Sequence, residues 1–221
     1  MDTQSIYDLG MKRDTLITLI SEGHSGKSAL ISNIIRYFQF NLDPDKRVDH
    51  VYVFSETAAT NHSYSFLDPK AILSPEPEAM NAFLDKLWRS QKATNMKHHI
   101  LLVFDIDVSK SQFKSKLSEA LRFLVTTVRY HCITVVVSTI AISPVIRGNT
   151  HYVFWDRHRL DKRELRDNVY KFMAISDFRA LQEHIANVNT SDYRFIFYDN
   201  ITDAKDERIR LVDTRSNSNS D

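Results

Sequence analysis

Residues 15–38 read TLITLISEGHSGKSALISNIIRYF, and the fold follows from how this stretch divides. Its first six residues, Thr15 to Ile20, are apolar or β-branched throughout, which is the composition of a strand buried on both faces of a sheet. From Ala29 to Phe38 the apolar residues Leu30, Ile31, Ile34, Ile35 and Phe38 recur at helical spacing instead. Between strand and helix lies Ser21 to Ser28, SEGHSGKS. The chain has only four glycines in 221 residues, Gly10, Gly23, Gly26 and Gly148, where ordinary usage gives about 15. Two of them fall three residues apart in this loop, where the backbone needs conformations that other residues resist.

A strand, a glycine-bearing loop ending in Gly-Lys-Ser and a helix form the pattern of a phosphate-binding loop, G-x-x-x-x-G-K-[ST]. Such a loop turns successive N–H groups toward the phosphates, its lysine reaches the β and γ oxygens, and its Ser or Thr holds Mg²⁺. The positive end of the following helix adds to the pull. Gly26, Lys27 and Ser28 match, and Ser21 stands where the first glycine belongs. The nucleotide-binding stretch is therefore Gly23, His24, Ser25, Gly26, Lys27, Ser28 and Ala29, with Lys27 as the catalytic cation, ATP as the ligand and Ser28 as a magnesium ligand.

The same alternation continues along the chain. Strands are expected at 50–54 (HVYVF), 99–104 (HILLVF), 133–137 (ITVVV), 152–155 (YVFW), 194–198 (RFIFY) and 208–212 (RIRLV). Helices are expected at 77–91, 111–130, 161–174 and 176–188. Strands alternating with helices imply an α/β fold, a three-layer αβα sandwich with a mostly parallel central sheet. No linker divides it, so residues 1–213 read as one domain and 214–221 as a polar, disordered tail.

Composition narrows the function classes. Net charge is +1, with 29 Lys and Arg against 28 Asp and Glu, so the whole-chain charge gives no case for nucleic acid and none against a local basic patch. No apolar run approaches the ~18 residues of a membrane span, and the N-terminal residues lack the apolar core of a secretory signal. The single cysteine, Cys132, excludes an internal disulfide framework. An intracellular, soluble domain is the expectation. His98-His99 and His131-Cys132 show no metal-ligand spacing along the chain and read as packing residues.

A phosphate loop calls for an acid at the end of a neighbouring apolar strand, to hold the magnesium shell. Ile100-Leu101-Leu102-Val103-Phe104-Asp105 supplies it, making Asp105 the second metal-associated residue. Ile106 then separates Asp105 from Asp107, which is the candidate for positioning the attacking water, or else a cap on the next helix.

Further segments follow in a recognisable order: VYVFSETAATNHSYSFLD, LLVFDIDVS before a long helix, then VRYHCITVVVSTIAISPVIRGNTHYVFW. Together with the loop and the acid they resemble the genome-packaging ATPases of large DNA viruses, virophages and related transposons, in the FtsK–HerA superfamily of P-loop NTPases. The likeness runs over roughly residues 16–198. It implies a RecA/FtsK-like fold and a homo-oligomeric ring that hydrolyses ATP to push double-stranded DNA into a preformed capsid. It also implies contact with a capsid vertex protein, and localisation at the viral assembly site in the host cytoplasm and in the virion. Within it Arg147, in the Pro…Arg-x-Asn segment, is the candidate finger acting on a neighbouring subunit, with Arg129 as the second choice. Ser21, Ile106 and Ile140, the last in place of the family's usual Gln, depart from the pattern. A nucleotide-binding assembly subunit that hydrolyses weakly or not at all is the alternative. The base-reading Asn-Lys-x-Asp of a GTPase is absent from the sequence.

Overall fold

A computed structural model describes residues 3–21, 26–106, 118–139, 143–156, 179, 194–204 and 208–214. Among the described residues nine strands form one sheet: β1 Thr3–Gln4, β2 Leu16–Ile20, β3 His50–Ser55, β4 Ile72–Leu73, β5 Ile100–Asp105, β6 Ile133–Thr139, β7 Tyr152–Asp156, β8 Arg194–Asp199 and β9 Ile209–Asp213. Their spatial order is β1-β9-β8-β7-β2-β6-β5-β3-β4. Pairing is parallel throughout except that β8 runs against both β7 and β9. The described helices are α1 Lys27–Arg36, α2 Ala58–Asn61, α3 Pro77–Ala93, α4 Ser118–Thr127 and α5 Pro144–Asn149. The α/β class and the mostly parallel sheet are thus as the sequence led us to expect.

Strand alternation sorts the core into two layers. Leu101 and Val103 of β5, Val136 of β6 and Val51 and Val53 of β3 face α1, meeting Leu30, Ile31, Ile34 and Ile35. Ile100, Leu102 and Phe104 of β5, with Ile133, Val135 and Val137 of β6, face the other way, onto Met80 and Leu84 of α3 and Leu121, Leu124 and Val125 of α4. A parallel sheet covered on both faces needs such near-continuous apolar strands, and every residue of β2, β5 and β6 is buried.

The observed strands run one or two residues past the apolar runs, taking in Ser55, Asp105, Ser138, Thr139 and Asp156. Two-residue strands β1 and β4, the short helices α2 and α5, and a π-helical turn at Tyr37–Asn41 that prolongs α1 are additions to the sequence-based plan. The N-terminal segment is bound into the core through Ile6, Leu9 and Met11. Thr214 is buried, and its carbonyl accepts from Asn33 Nδ2 at 2.9 Å. The helix expected over 111–130 is described from Ser118, ending in a 3₁₀ turn at Val128–Tyr130. Those expected over 161–174 and 176–188 lie outside the described residues, save Arg179, which is helical and exposed.

Candidate functional site

The carboxyl ends of β2, β6, β5 and β3 stand side by side in that order. In open parallel sheets the crevice beyond such ends is where ligands bind. Each end is polar. Ser21 follows β2, Ser138 and Thr139 end β6, Asp105 ends β5, and Ser55 ends β3. The register lays Ile20 beside Thr139 and Ser55 beside Asp105.

At the first of these ends the chain turns into α1 through Gly26, whose φ of 78° is left-handed. A residue with a Cβ would be strained there, so the glycine meets a backbone requirement. Among the described residues no side chain caps α1, and the first ring-closing bond runs from the Leu30 N–H to the Gly26 carbonyl at 3.0 Å. The N–H groups of Lys27, Ser28 and Ala29 therefore have no partner within the helix, which leaves donors and the positive end of the macrodipole facing the crevice. Lys27 and Ser28 are half-buried and Ala29 is exposed. Gly23, His24 and Ser25 lie outside the described residues.

Asp105 is buried at the end of β5. Its Oδ2 accepts from the Tyr64 hydroxyl at 2.7 Å and from Ser55 Oγ at 3.3 Å. The Tyr64 hydroxyl also bonds to the Ser28 side chain. Burial first, and then the Asp105 charge, push the Tyr64 phenol far above its ordinary range, so it stays protonated and donates to the carboxylate. One hydroxyl thereby joins the two residues singled out as metal-associated, Ser28 and Asp105. Tyr64 itself is held against α1. Ser32 Oγ lies 2.9 Å from the Ser28 carbonyl and 2.7 Å from that of Ser63, and the Arg36 guanidinium sits 4.3 Å over the Phe66 ring.

Tyr64 and Ser55 were not singled out from sequence. Both fall in the segment VYVFSETAATNHSYSFLD, but only the pairing of β3 with β5 shows that they meet Asp105. The bridge is testable by a double-mutant cycle of Tyr64→Phe and Asp105→Asn. Tyr64→Phe is expected to lower unfolding free energy by about 1–3 kcal/mol, the cost of leaving a buried charged acceptor short of a donor. The same change in an Asp105→Asn background is expected to cost less, with coupling of about 0.5–3 kcal/mol. Additive losses in urea unfolding would show that the hydroxyl does not serve the carboxylate.

Ile106, which separates Asp105 from Asp107, is buried in the layer under α3 and α4, with Phe104. Strand alternation thus carries one residue beyond β5 and keeps Asp105 on the opposite, α1 side. Asp107 and Ile140 lie outside the described residues. Arg147 is half-buried in the last turn of α5, the helix that returns the chain from β6 to β7, and is not among the groups gathered around Asp105. Arg129 sits in the 3₁₀ turn ahead of β6, at the opposite edge of the sheet.

The donor set suits magnesium. A hydroxyl and a carboxylate are hard oxygen ligands, and Mg²⁺ is bound through one or two such groups while keeping several waters. Two buried hydroxyls beside them, Ser21 Oγ and Ser138 Oγ, lack a hydrogen-bond partner among the described residues. Orphaned buried donors at a crevice are what a polar ligand would satisfy.

No family model matches the sequence, and no curated protein matches it. Solved structures do resemble the fold. The DNA-packaging ATPase B204 of Sulfolobus turreted icosahedral virus superposes with a TM-score of 0.58 at 16% identity, over 91% of this chain and 98% of that one. The genome packaging NTPase B204 of Sulfolobus turreted icosahedral virus 2, in complex with ATP-gammaS, gives a TM-score of 0.60 at 16% identity over the same shares. The cytoplasmic domain of the type VII secretion ATPase EccC of Thermomonospora curvata gives 0.53 at 12% identity, over 83% of this chain and 24% of that one. The chain therefore shares the three-dimensional fold of these ATPases.

Proposed function

We propose that this protein is a P-loop ATPase that drives double-stranded DNA into a viral capsid as a homo-oligomeric ring. The observation that supports it most is the convergence of Ser28, Tyr64 and Asp105 beside the left-handed Gly26 and the start of α1. It is joined by the likeness in fold to packaging NTPases over nearly the full length of both chains.

In this mechanism the amides at the start of α1, which have no partner within the helix, bind the β-phosphate and Lys27 neutralises charge that grows on the β and γ oxygens. A magnesium ion held there would draw negative charge from the same oxygens and template the in-line displacement. Ser28 would offer it a hydroxyl, and Asp105 would hold one of its waters. Tyr64 holds Asp105 correctly turned by donating to Oδ2. Asp107 positions the attacking water. Arg147, apart from its own Asp105, serves a neighbouring subunit.

The test is ATP turnover with and without duplex DNA, beside a Lys27→Ala control. DNA is expected to stimulate the wild type and leave the control inactive. Nucleotide binding with wild-type turnover no higher than the control would instead identify a non-hydrolysing assembly subunit. In the same assay, mixing in Arg147→Ala subunits is expected to lower activity more steeply than in proportion. A proportional fall would remove the role across the subunit boundary.

A further inference from the structure

The opposite edge of the sheet carries a second cluster of chemistry-bearing side chains. Three neighbouring strands, β2, β6 and β5, each begin there with one of them. Asp14 lies two residues ahead of β2, Cys132 one ahead of β6 and His99 one ahead of β5. Adjacent strands are about 4.8 Å apart, so Asp14 and His99 start some 10 Å from each other with Cys132 between them. Their side chains nonetheless close over it. His99 Nδ1 is 3.3 Å from Asp14 Oδ1, and one ligand atom from each of the three residues lies within 4.8 Å of the other two.

The three residues are fixed by the sheet as well as by each other. The Asp14 N–H donates to Thr134 Oγ1 at 2.8 Å, the His99 N–H donates to Asp49 Oδ2 at 2.7 Å, and the Ile100 N–H donates to the Cys132 carbonyl at 2.9 Å. Asp14 and Cys132 both hold left-handed φ values, 61° and 55°, a conformation disfavoured for any residue with a Cβ. All three are half-buried, so the site is sheltered and still reachable from solvent.

We propose that Asp14, His99 and Cys132 form a binding site for a borderline-soft divalent cation of the zinc type. One sulfur, one imidazole nitrogen and one carboxylate oxygen are a three-ligand set that leaves a fourth tetrahedral position for water. Bond lengths of about 2.0–2.3 Å put such ligands roughly 3.3–3.8 Å apart, which rotamer adjustment reaches from the present spacing. On binding, the Cys132 thiol gives its proton to solvent, and thiolate plus carboxylate balance the ion's two charges. Burial and the nearby Asp14 carboxylate hold the free thiol protonated, so a cation is what draws the proton off. Thiolate and imidazole discriminate against Mg²⁺. The ion would therefore coexist with magnesium nucleotide at the far ends of the strands, roughly 20 Å away along β6.

No chain spacing reveals this set, because its members are 33 or more residues apart and meet only through the strand order. The inference does not depend on the function proposed above. The test uses the full chain, stripped with chelator and titrated with Co²⁺ and then Zn²⁺ in magnesium-containing buffer. Cobalt is expected to give a thiolate charge-transfer band equivalent to one ion per chain, and zinc to displace it. Zinc is also expected to slow alkylation of Cys132, the chain's single cysteine, by at least ~10-fold. That measurement needs no substituted protein. Cys132→Ser is expected to abolish the band, Asp14→Asn and His99→Asn to weaken binding by ~10-fold or more, and Lys27→Ala to bind like the wild type. A cobalt spectrum without the thiolate band, alkylation unaffected by zinc, or binding lost in Lys27→Ala would each overturn the proposal.

Discussion

A Lys27→Ala chain is expected to keep its fold and lose ATP turnover by about 10²–10³-fold or more, the loss seen when a charge-stabilising donor is removed from a developing oxyanion. Two features of α1 separate the activity from the stability. Lys27 is the first residue of the helix, half-buried, and makes no ion pair among the described residues. Its removal therefore strands no buried charge. Alanine is also the better helix former, by a few tenths of a kcal/mol at most. Urea unfolding midpoints of the two chains are expected to agree closely while steady-state turnover differs by orders of magnitude. A variant that keeps a third or more of wild-type turnover would remove Lys27 from the phosphates and the nucleotide chemistry with it.

Phe104→Ala is expected to be the most damaging of the core changes near the site, lowering unfolding free energy by about 3–5 kcal/mol. Phe104 is fully buried, and its ring stacks on Phe54 with centroids 5.3 Å apart and planes 15° apart. The two face each other in register across β5 and β3, one residue before Asp105 and Ser55. Phe83 of α3 closes edge-on against Phe54. A cavity there would loosen the strand ends that set Asp105 and Ser55 opposite one another. Phe104→Leu keeps most of the volume and is expected to cost less than about 1.5 kcal/mol. If both variants unfold at the wild-type urea midpoint, the layer under α3 and α4 does not hold these ends.

What the sequence discloses depends on whether the signal is local. The runs Leu16–Ile20 and Ile133–Val137 are β-branched and apolar because both faces of the sheet are covered, and that pattern is readable without any partner. Gly26 is readable for the same reason, since its left-handed φ is a property of one residue. The last residues of the strands are polar, since they face the crevice, and so the apolar runs stop short of Ser55, Asp105 and Thr139. Strands β1 and β4 have two residues each, too few to carry a period. Tyr64 looks like any aromatic in a loop until β3 and β5 pair and bring Ser55 and Asp105 to it. The same holds for Asp14, His99 and Cys132, whose association is written in strand order alone.

That strand order also sets when the crevice can exist. β2 pairs with β6 and β7, so Leu16 waits for Val135 and Ile17 for Tyr152. Such distant pairings must overcome loop-closure entropy before any contact repays it. During synthesis the glycine loop emerges well ahead of β6 and β7, so the strand that anchors it stays without neighbours until residues 133–156 have followed it. The crevice at the strand ends therefore closes late in the life of the nascent polypeptide, after β3, β4 and β5 have been made.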